Sequence, residues 1–306
     1  MRTTAPPFET VVDRLSQASV DKHFDAYADV DWDAPELAID PTDPRWALLP
    51  FDSLARTEWY RALPPAGQAE VGLFRLASAM RLGWEFENVL QRGLLLHVFS
   101  MPNGRPEFRY LHHEIVEESQ HTMMFQELIN RSGLDVRGIP AFEKWATRFI
   151  VPLARRRPAL FFLFVLGGED PVDYLQRRTL KEPGVHPLAE RLMRIHITEE
   201  ARHLSFARQY LREQVPRLGR ARRFALSLVV PGLLGRMTRM MLDPSPRYCR
   251  AYGLPRRELR AARRDPAHRA FRAESVGKTR ALCTELGLVN PVSRVLWRAW
   301  GIGEAA

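Results

Sequence analysis

The stretch Arg194-Ile-His-Ile-Thr-Glu-Glu-Ala-Arg-His-Leu-Ser-Phe-Ala-Arg208 decides the fold, because three of its polar side chains recur at helical spacing. His196, Glu200 and His203 follow one another at intervals of four and three residues, which places them on one face of an α-helix. Apolar residues continue that face, so the three polar side chains point toward the core. Burying them without partners would cost several kcal/mol. A bound cation would remove this cost, and the stretch therefore predicts a metal site.

The chain nearly repeats this pattern earlier in the sequence. The segment Glu114-Ile-Val-Glu-Glu-Ser-Gln-His121 aligns with His196-Ile-Thr-Glu-Glu-Ala-Arg-His203, and each copy carries Glu-x-x-His on a predicted helix. The pairs are Glu118 with His121 and Glu200 with His203. Two such helices, together with single glutamates from two further helices, form the dimetal carboxylate site of ferritin-like four-helix bundles.

Proline and glycine residues divide the chain into predicted helices. We expect them at residues 66–100, 107–132, 140–157, 159–179, 188–214, 221–242, 256–264, 267–286 and 291–300, with short pieces near 8–16 and 53–63. No long strand-like alternation appears, which predicts an all-α class: a ferritin-like four-helix bundle core with additional N- and C-terminal helices. We expect residues 1–306 to form a single domain, with a wrapping arm at 1–64, a metal-binding core at 66–215 and C-terminal helices at 216–306.

A four-helix site requires one inward glutamate on the helix at 66–100 and another on the helix at 159–179. Glu87 falls on the apolar face of the first helix, whereas Glu85 is expected to point toward solvent beside Arg81. On the second helix, Glu169 follows a very apolar run and continues its buried face. Pro171, two residues later, is expected to kink that helix.

The predicted metal ligands come from all four of these helices. They are Glu87, Glu118, His121, Glu169, His196, Glu200 and His203. Four carboxylates neutralise two divalent cations, and imidazole ligands suit iron better than magnesium or calcium. The competing interpretation is that these residues lie on solvated helix faces and that the histidines have ordinary hydrogen-bond partners.

Composition indicates a soluble globular protein in a reducing cytoplasm. The 306 residues are 45% hydrophobic and 26% charged, and the two cysteines form no disulfide framework. The N-terminus has no apolar segment typical of a signal peptide. The longest apolar runs, 158–168 and 224–234, are too short to span a bilayer. The second could touch a membrane surface, but we expect a buried helix and no membrane partner.

The net charge of +9 is almost entirely due to arginine. Basic clusters lie at residues 155–157, 217–223 and 256–264, at predicted helix ends. They carry no recognisable nucleic-acid motif, so we expect solvated helix surfaces and no nucleic-acid partner. An acidic protein partner remains open.

These motifs resemble the p-aminobenzoate N-oxygenase (AurF-like) family of di-iron oxygenases. The feature that selects this family is His196, an extra histidine one turn before the second Glu-x-x-His. Ferritins, ribonucleotide reductase small subunits and acyl-carrier desaturases have the two Glu-x-x-His units without it. The resemblance covers residues 66–215 with specific motifs and extends less specifically toward the C-terminus.

The resemblance implies an enzyme with two iron ions, or manganese as the alternative, that reduces O2 and oxygenates a small substrate, typically an aromatic amine nitrogen. It implies that Glu87, Glu118 and His121 mainly serve one iron. His196, Glu200 and His203 would serve the other, with Glu169 shared. An external electron donor is expected, the substrate is either free or bound to a carrier, and a homodimer is expected.

Three alternatives stay open at this point. A radical protein like the ribonucleotide reductase small subunit would need a tyrosine beside the metal, whereas Tyr110, Tyr174 and Tyr210 are expected to be core residues with hydrogen-bonded hydroxyls. An iron-storage protein would need to assemble into a cage, and a dimetal hydrolase would turn over without O2. Glu114 is either a partner of a ligand histidine or, as we expect, an exposed carboxylate.

The substrate is predicted from the helix face that carries Glu87. Leu76, Met80 and Leu90 flank the ligand, and Gly83 is expected to leave space one turn from the metal. Arginines from other helices, such as Arg194, could enter. Because this face offers no cation for a substrate carboxylate, we expect an apolar substrate or one presented by an acidic carrier protein.

Overall fold

The computed structural model describes residues 6–303. Within that range it contains α-helices and no strand, which confirms the all-α class. The helices are α1 Phe8–Asp21, α2 Glu58–Arg61, α3 Pro65–Val98, α4 Pro106–Ser132, α5 Ala141–Ile150, α6 Leu153–Arg156, α7 Pro158–Thr179, α8 Pro187–Gln214, α9 Arg220–Leu242, α10 Arg247–Ala251, α11 Arg256–Arg264, α12 Pro266–Ser275, α13 Gly277–Glu285 and α14 Pro291–Ala299. Single 3-10 turns lie at Pro35–Leu37, Pro44–Trp46 and Val215–Arg217.

Proline sets most helix starts. It occupies the first position of α3, α4, α7 and α8, where its missing N–H costs nothing. The predicted helix at 140–157 breaks into α5 and α6 at Pro152, and the one at 267–286 breaks into α12 and α13 at Val276. Pro171 does not end α7, which continues to Thr179.

Helices α3, α4, α7 and α8 form the central bundle. α3 packs along α4 and α7 along α8, while contacts of α4 with α8 and of α3 with α7 close it. α1 covers α4 and α8, α9 packs on α7, and α14 packs on α9. This arrangement is the ferritin-like bundle with additional helices that the sequence predicts.

The apolar core of the bundle lies in two clusters. One contains Phe86, Leu90 and the Phe161–Leu166 run, and the other contains Met80, Phe125 and Leu192. Along α4 and α8 the buried glutamates and histidines stand between residues of these two clusters. A layer of buried polar side chains therefore crosses the middle of the bundle, and apolar packing shields it at both ends.

The N-terminal arm docks on the bundle through close contacts. The Trp46 carbonyl approaches α3 where a Cβ at position 72 would stand, so glycine is required there. The Trp46 ring stacks on His186, with ring centroids 3.7 Å apart. Farther back along the arm, the backbone N–H of Phe24 donates to Oε1 of Glu199 at 3.0 Å. The arm thus reaches the polar layer itself.

Glu85 is buried, contrary to the expectation that it faces solvent. Its carboxylate accepts from the backbone N–H of Ile139 at 2.9 Å and from Nζ of Lys144 at 3.0 Å. Arg81, one turn earlier, adds an ion pair at 3.2 Å. The loop after α4 folds over this position, and the periodicity of α3 alone contains no information about that loop.

One helical segment within residues 6–303, Arg220–Ala251, is long and apolar enough to cross a membrane by length and composition. Of its most apolar window, 56% is buried inside the protein. Buried residues of α9 such as Val230 and Leu234 pack in the same cluster as the apolar run of α7. The segment packs as a core helix does, as the sequence predicts.

Candidate metal centre

The structure brings all seven predicted ligands together in the polar layer, each at most 2% exposed. α3 supplies Glu87, α4 supplies Glu118 and His121, α7 supplies Glu169, and α8 supplies His196, Glu200 and His203. Three groups have potential ligand atoms within 4.8 Å of one another: Glu87 with His121 and His196, Glu118 with Glu200 and His203, and Glu169 with His196 and Glu200. His196 is within reach of both Glu87 and Glu200. The division of ligands between two metal ions therefore stays a prediction.

Many of the inward-facing atoms of these side chains have no hydrogen-bond partner among residues 6–303. The unpaired atoms are both carboxylate oxygens of Glu118, Nδ1 of His121, Oε1 of Glu169, Nδ1 of His196 and Oε1 of Glu200. Leaving one such buried group unsatisfied costs about 1–3 kcal/mol. Six of them in one layer would be a severe loss unless cations coordinate them. The donor set of carboxylates and imidazoles therefore fits a dimetal centre.

The two Glu-x-x-His motifs are cross-linked through the residue before each ligand glutamate. Nε2 of His121 on α4 lies 2.9 Å from Oε2 of Glu199 on α8. Nε2 of His203 on α8 lies 2.7 Å from Oε2 of Glu117 on α4. Arg202 binds Glu117 at 2.8 Å and lies 3.6 Å from Glu199. Each motif thus positions the histidine of the other.

This pairing also sets which histidine nitrogen faces the centre. Burial would raise the pKa of Glu117, but His203 and Arg202 outweigh burial and lower it to about 2. The ionised carboxylate can only accept, so Nε2 of His203 carries the proton. In the neutral ring, Nδ1 then keeps its lone pair, and this nitrogen lies 3.1 Å from Oε2 of Glu200.

Glu117 and Glu199 are functional candidates that the sequence reasoning did not identify. The available signal was the doubled glutamate, since both copies of the repeat read Glu-Glu-x-x-His. The spacing places the first glutamate off the ligand face of its own helix. Only the packing of α4 against α8 shows that it reaches the histidine of the other copy.

Without a cation, protonation of some of these side chains reduces the negative charge of the layer. Burial raises the pKa of Glu87 and Glu169 well above the usual value, and neighbouring carboxylates raise it further. Burial would lower the pKa of His121, but the nearby carboxylates of Glu118 and Glu199 raise it to about 10. Burial lowers the pKa of His196 to about 4, and the nearby charge of His121 contributes. His196 is therefore a neutral imidazole at pH 7.

Glu114 is buried, which corrects the expectation of an exposed carboxylate. It is 1% exposed, its Oε2 has no hydrogen-bond partner in the described part of the chain, and burial raises its pKa to about 8. The additional helix α1 packs across α4 and α8 and leaves α4 with more buried positions than the repeat predicts. Glu114 is therefore a protonated carboxyl at pH 7, one turn from Glu118.

Tyr110, Tyr174 and Tyr210 were expected to be core residues with hydrogen-bonded hydroxyls, and each meets one part of that expectation. Tyr110 and Tyr210 are buried, whereas Tyr174 is partly exposed and donates to Glu274 at 2.6 Å. The Tyr110 hydroxyl has no hydrogen-bond partner within residues 6–303. Burial raises the pKa of Tyr110 well above its usual value, so it stays a neutral phenol beside the polar layer.

The expectation of space beside Gly83 is wrong, and Arg194 does not fill the role that was left open for it. A Cβ at Gly83 would meet the Phe125 ring at 3.3 Å, so this ring fills the space that glycine was expected to leave. The same ring lies 5.4 Å from that of His196, between centroids. Arg194 does not enter the site, because it is exposed and pairs with Glu190 at 2.6 Å. The i, i+4 spacing of this pair on α8 holds it on the outer face.

A family model for p-aminobenzoate N-oxygenase AurF matches residues 6–287. The chain belongs to this family. Its relatives include an uncharacterised protein of Mycobacterium bovis and an uncharacterised protein of Mycobacterium tuberculosis, each 42% identical over 288 residues. The alignments cover 93% of this chain and 84% of each relative. No solved structure matches the chain. Membership in the AurF family agrees with the resemblance inferred from His196 and the two Glu-x-x-His motifs.

Proposed function

We propose that this protein is a non-haem di-iron oxygenase that activates O2 and oxygenates a small organic substrate. By analogy with the AurF family, the reaction is N-oxygenation of an aryl amine or a related compound. The observation that carries the proposal is the layer of seven buried carboxylate and imidazole side chains with six unpaired atoms. Without bound metal, burying this set of side chains in the core would destabilise the fold.

The seven proposed ligands are Glu87, Glu118, His121, Glu169, His196, Glu200 and His203. Two bound iron ions would supply the reduction of O2 and the transfer of oxygen to the substrate. The protein holds the histidines through Glu117 and Glu199, which orient the rings and fix their tautomers. Phe125 and the apolar clusters on either side exclude water from the layer.

His196 gives this centre a neutral donor where related dimetal proteins have an anionic ligand or solvent. Its Nε2 lies 3.6 Å from Oε1 of Glu87, and its Nδ1 has no partner. We propose that this additional imidazole lowers the negative charge around one metal and so changes its reaction with O2.

We further propose an apolar substrate, or one presented by an acidic carrier protein, and not a free aminobenzoate. The arginines near the ligands in sequence are already engaged: Arg202 binds Glu117, and Arg81 binds Glu85. A substrate carboxylate in the layer would therefore face carboxylates without a cation to offset its desolvation. An external electron donor, a homodimer and a cytoplasmic location belong to the same proposal. No membrane or nucleic-acid partner is required.

A radical protein is the second candidate, and Tyr110 is the observation that favours it. Its phenol is fully buried on α4, two turns before Glu118, and its hydroxyl is unpaired. An O2-oxidised protein that shows a stable tyrosyl radical in its EPR spectrum, lost in Tyr110→Phe, would support this candidate.

The direct test is O2-dependent turnover of the iron-loaded protein with a chemical reductant and a panel of aryl amines. N-oxygenated product that requires iron and disappears in Glu118→Ala supports the proposal. Equal turnover without O2 or reductant would indicate a hydrolase instead. Efficient conversion of free p-aminobenzoate to its nitro product would refute the substrate class while leaving the oxygenase intact.

A further inference from the structure

A large cleft lies apart from the metal centre, on a different face of α3. It encloses about 670 Å3 between the first half of α3, the loop after α4, the end of α9 and helices α10 to α12. Nine arginines line it, against two carboxylates, Glu143 and Asp243. Most of the remaining lining is apolar and includes Met240, Met241 and Trp300. The sequence pattern predicts that Arg263 and Arg264 lie on a solvated helix surface. In the fold they line the cleft together with arginines from distant segments.

The two carboxylates of the cleft are already neutralised. Asp243 lies 2.9 Å from Nε2 of His268 and 2.8 Å from a terminal nitrogen of Arg272. Glu143 forms an ion pair with Arg236. A third lining arginine, Arg75, pairs with Asp52 at 3.1 Å. The other six lining arginines have no carboxylate partner among residues 6–303, so the cleft carries a net positive charge.

Several of the remaining guanidinium groups are held by backbone carbonyls. Arg263 donates from Nε and a terminal nitrogen to the carbonyl of Pro244, at 3.0 and 2.8 Å. Arg247 donates to the carbonyls of Arg137 and, at 3.1 Å, Gly138. A carbonyl oxygen orients a guanidinium without cancelling its charge and leaves its other N–H groups available. The fold thus positions these charges in advance.

This concentration of like charge works against the folded state. Partial burial lowers the pKa of Arg247, and the neighbouring charge of Arg137 lowers it further. Arg264 and Arg269 line the same cleft and form no salt bridge with a carboxylate of residues 6–303. A cluster of convergent arginines that repel one another, with their orientation fixed, is the arrangement that recognises an anion of several charges.

We propose that this cleft binds a small organic molecule through a phosphate or diphosphate group. A single carboxylate would offset only one of the guanidinium charges, whereas a diphosphate presents several oxygens for bidentate contact. The volume is within the usual range for small-molecule sites of about 300–1,000 Å3. Met240, Met241 and Trp300 provide an apolar wall for the organic part. The proposal does not depend on the metal centre.

The test is isothermal titration calorimetry of the full-length protein with inorganic pyrophosphate and with ADP. The main variant is the double substitution Arg247→Gln and Arg263→Gln. Its matched control, Arg155→Gln with Arg156→Gln, removes two charges from an exposed basic cluster away from the cleft. Because Arg263 also fixes the Pro244 turn, the single variant Arg264→Gln serves as a second probe that leaves those hydrogen bonds intact.

We expect both ligands to bind the wild type and the control equally. The double variant should bind at least about tenfold more weakly, and Arg264→Gln should be measurably weaker. Iron content should not change in any of them. The proposal is overturned if pyrophosphate does not bind at millimolar concentration, if the control loses as much affinity as the cleft variants, or if ADP fails to bind where pyrophosphate does. Displacement of ADP by single-stranded DNA at far lower concentration would also overturn it, in favour of a nucleic-acid site.

Discussion

Nε2 of His121 lies 2.9 Å from Oε2 of Glu199, which stands 78 positions later in the chain on α8. The same relationship holds between His203 and Glu117 in the opposite direction. The two halves of the repeat therefore do more than supply equivalent ligands. Each histidine is oriented by a carboxylate of the other half, so the side-chain geometry of each half depends on the other half.

Glu199→Gln should weaken metal binding by about 10–100-fold, because an amide is a poorer acceptor for the imidazole N–H and leaves the ring less strongly oriented. The measurement is competition with a chelator of known affinity. Glu190→Gln is the matched control, since Glu190 lies on the exposed side of the same helix and its side chain pairs with Arg194. Equal metal affinity in Glu199→Gln and the control would show that the cross-pairing does not support the centre.

The purified protein should bind about two iron ions per chain when loaded anaerobically with Fe(II). Glu118→Ala or Glu200→Ala should lose at least one of them, because each removes a central carboxylate.

His196→Ala should retain much of the metal but change the optical spectrum and the rate of the reaction that follows O2 exposure. Metal analysis and stopped-flow absorbance measure the two effects. Unchanged O2 reactivity in His196→Ala would contradict the role assigned to this histidine.

Chelated protein should become less stable as the pH rises from about 6 to 9. The pKa of His121 is raised from 6.5 to about 10 in the fold, so its stabilising contribution is complete below 6.5 and is lost as the pH approaches 10. Raised carboxyl pKa values at Glu87 and Glu169 act in the same direction. Thermal melts across this range test the slope.

Iron-loaded protein should depend less on pH, because the metal replaces the protons of these groups. Iron binding should also release protons and strengthen with increasing pH, which calorimetry in buffers of different ionisation enthalpy measures. If the melting temperatures of the chelated and the iron-loaded protein changed with pH in the same way, these residues would not coordinate metal.

Glu114→Gln should stabilise the chelated protein at pH 8 and above. The folded pKa of this carboxyl is raised from 4.5 to about 8, so the wild type loses stability as the pH rises through that interval. A neutral amide of the same shape removes the dependence and should gain on the order of 4 kcal/mol at pH 8. Urea unfolding of both forms at pH 5 and pH 8 measures the difference. A constant gap between the two forms would count against a buried, protonated Glu114.

Gly72→Ala should loosen the N-terminal arm, because the added methyl group would collide with the backbone carbonyl of Trp46. Overpacking of this kind costs about 1–3 kcal/mol. Thermal melting and limited proteolysis of the arm measure the effect. Gly219→Ala is the control, because a methyl group there would meet open space at ordinary backbone angles. Equal protease resistance in both variants would show that the arm tolerates the displacement.

The clustering of the seven candidate residues and the helix starts could be predicted from the sequence because local rules determine both. Proline fixes its own φ angle and so marks where Pro65, Pro106, Pro158 and Pro187 begin helices. Helical periodicity places Glu87 on an apolar face. The AurF family match extends this agreement from the motifs to nearly the whole chain.

The remaining features depend on contacts between distant segments. Glu85 is buried by Ile139 and Lys144, which follow it by more than fifty residues, and Glu114 lies in a helix covered by α1. Periodicity describes one helix at a time, so it assigned both glutamates to solvent. The arginine cleft could not be predicted from single helices either, because its lining comes from segments as far apart as Arg75 and Arg272.

The hydrogen bond from the backbone N–H of Phe24 to Glu199 has a consequence for the order of assembly during translation. The arm leaves the ribosome before α8, because its acceptor is synthesised 175 residues later. At about 5–20 residues per second, the arm therefore waits on the order of ten seconds or more before α8 exists. Until then the nascent bundle has one Glu-x-x-His helix and an open side. The arm can therefore dock on Glu199 only after α8 has been made, when all seven candidate residues are present.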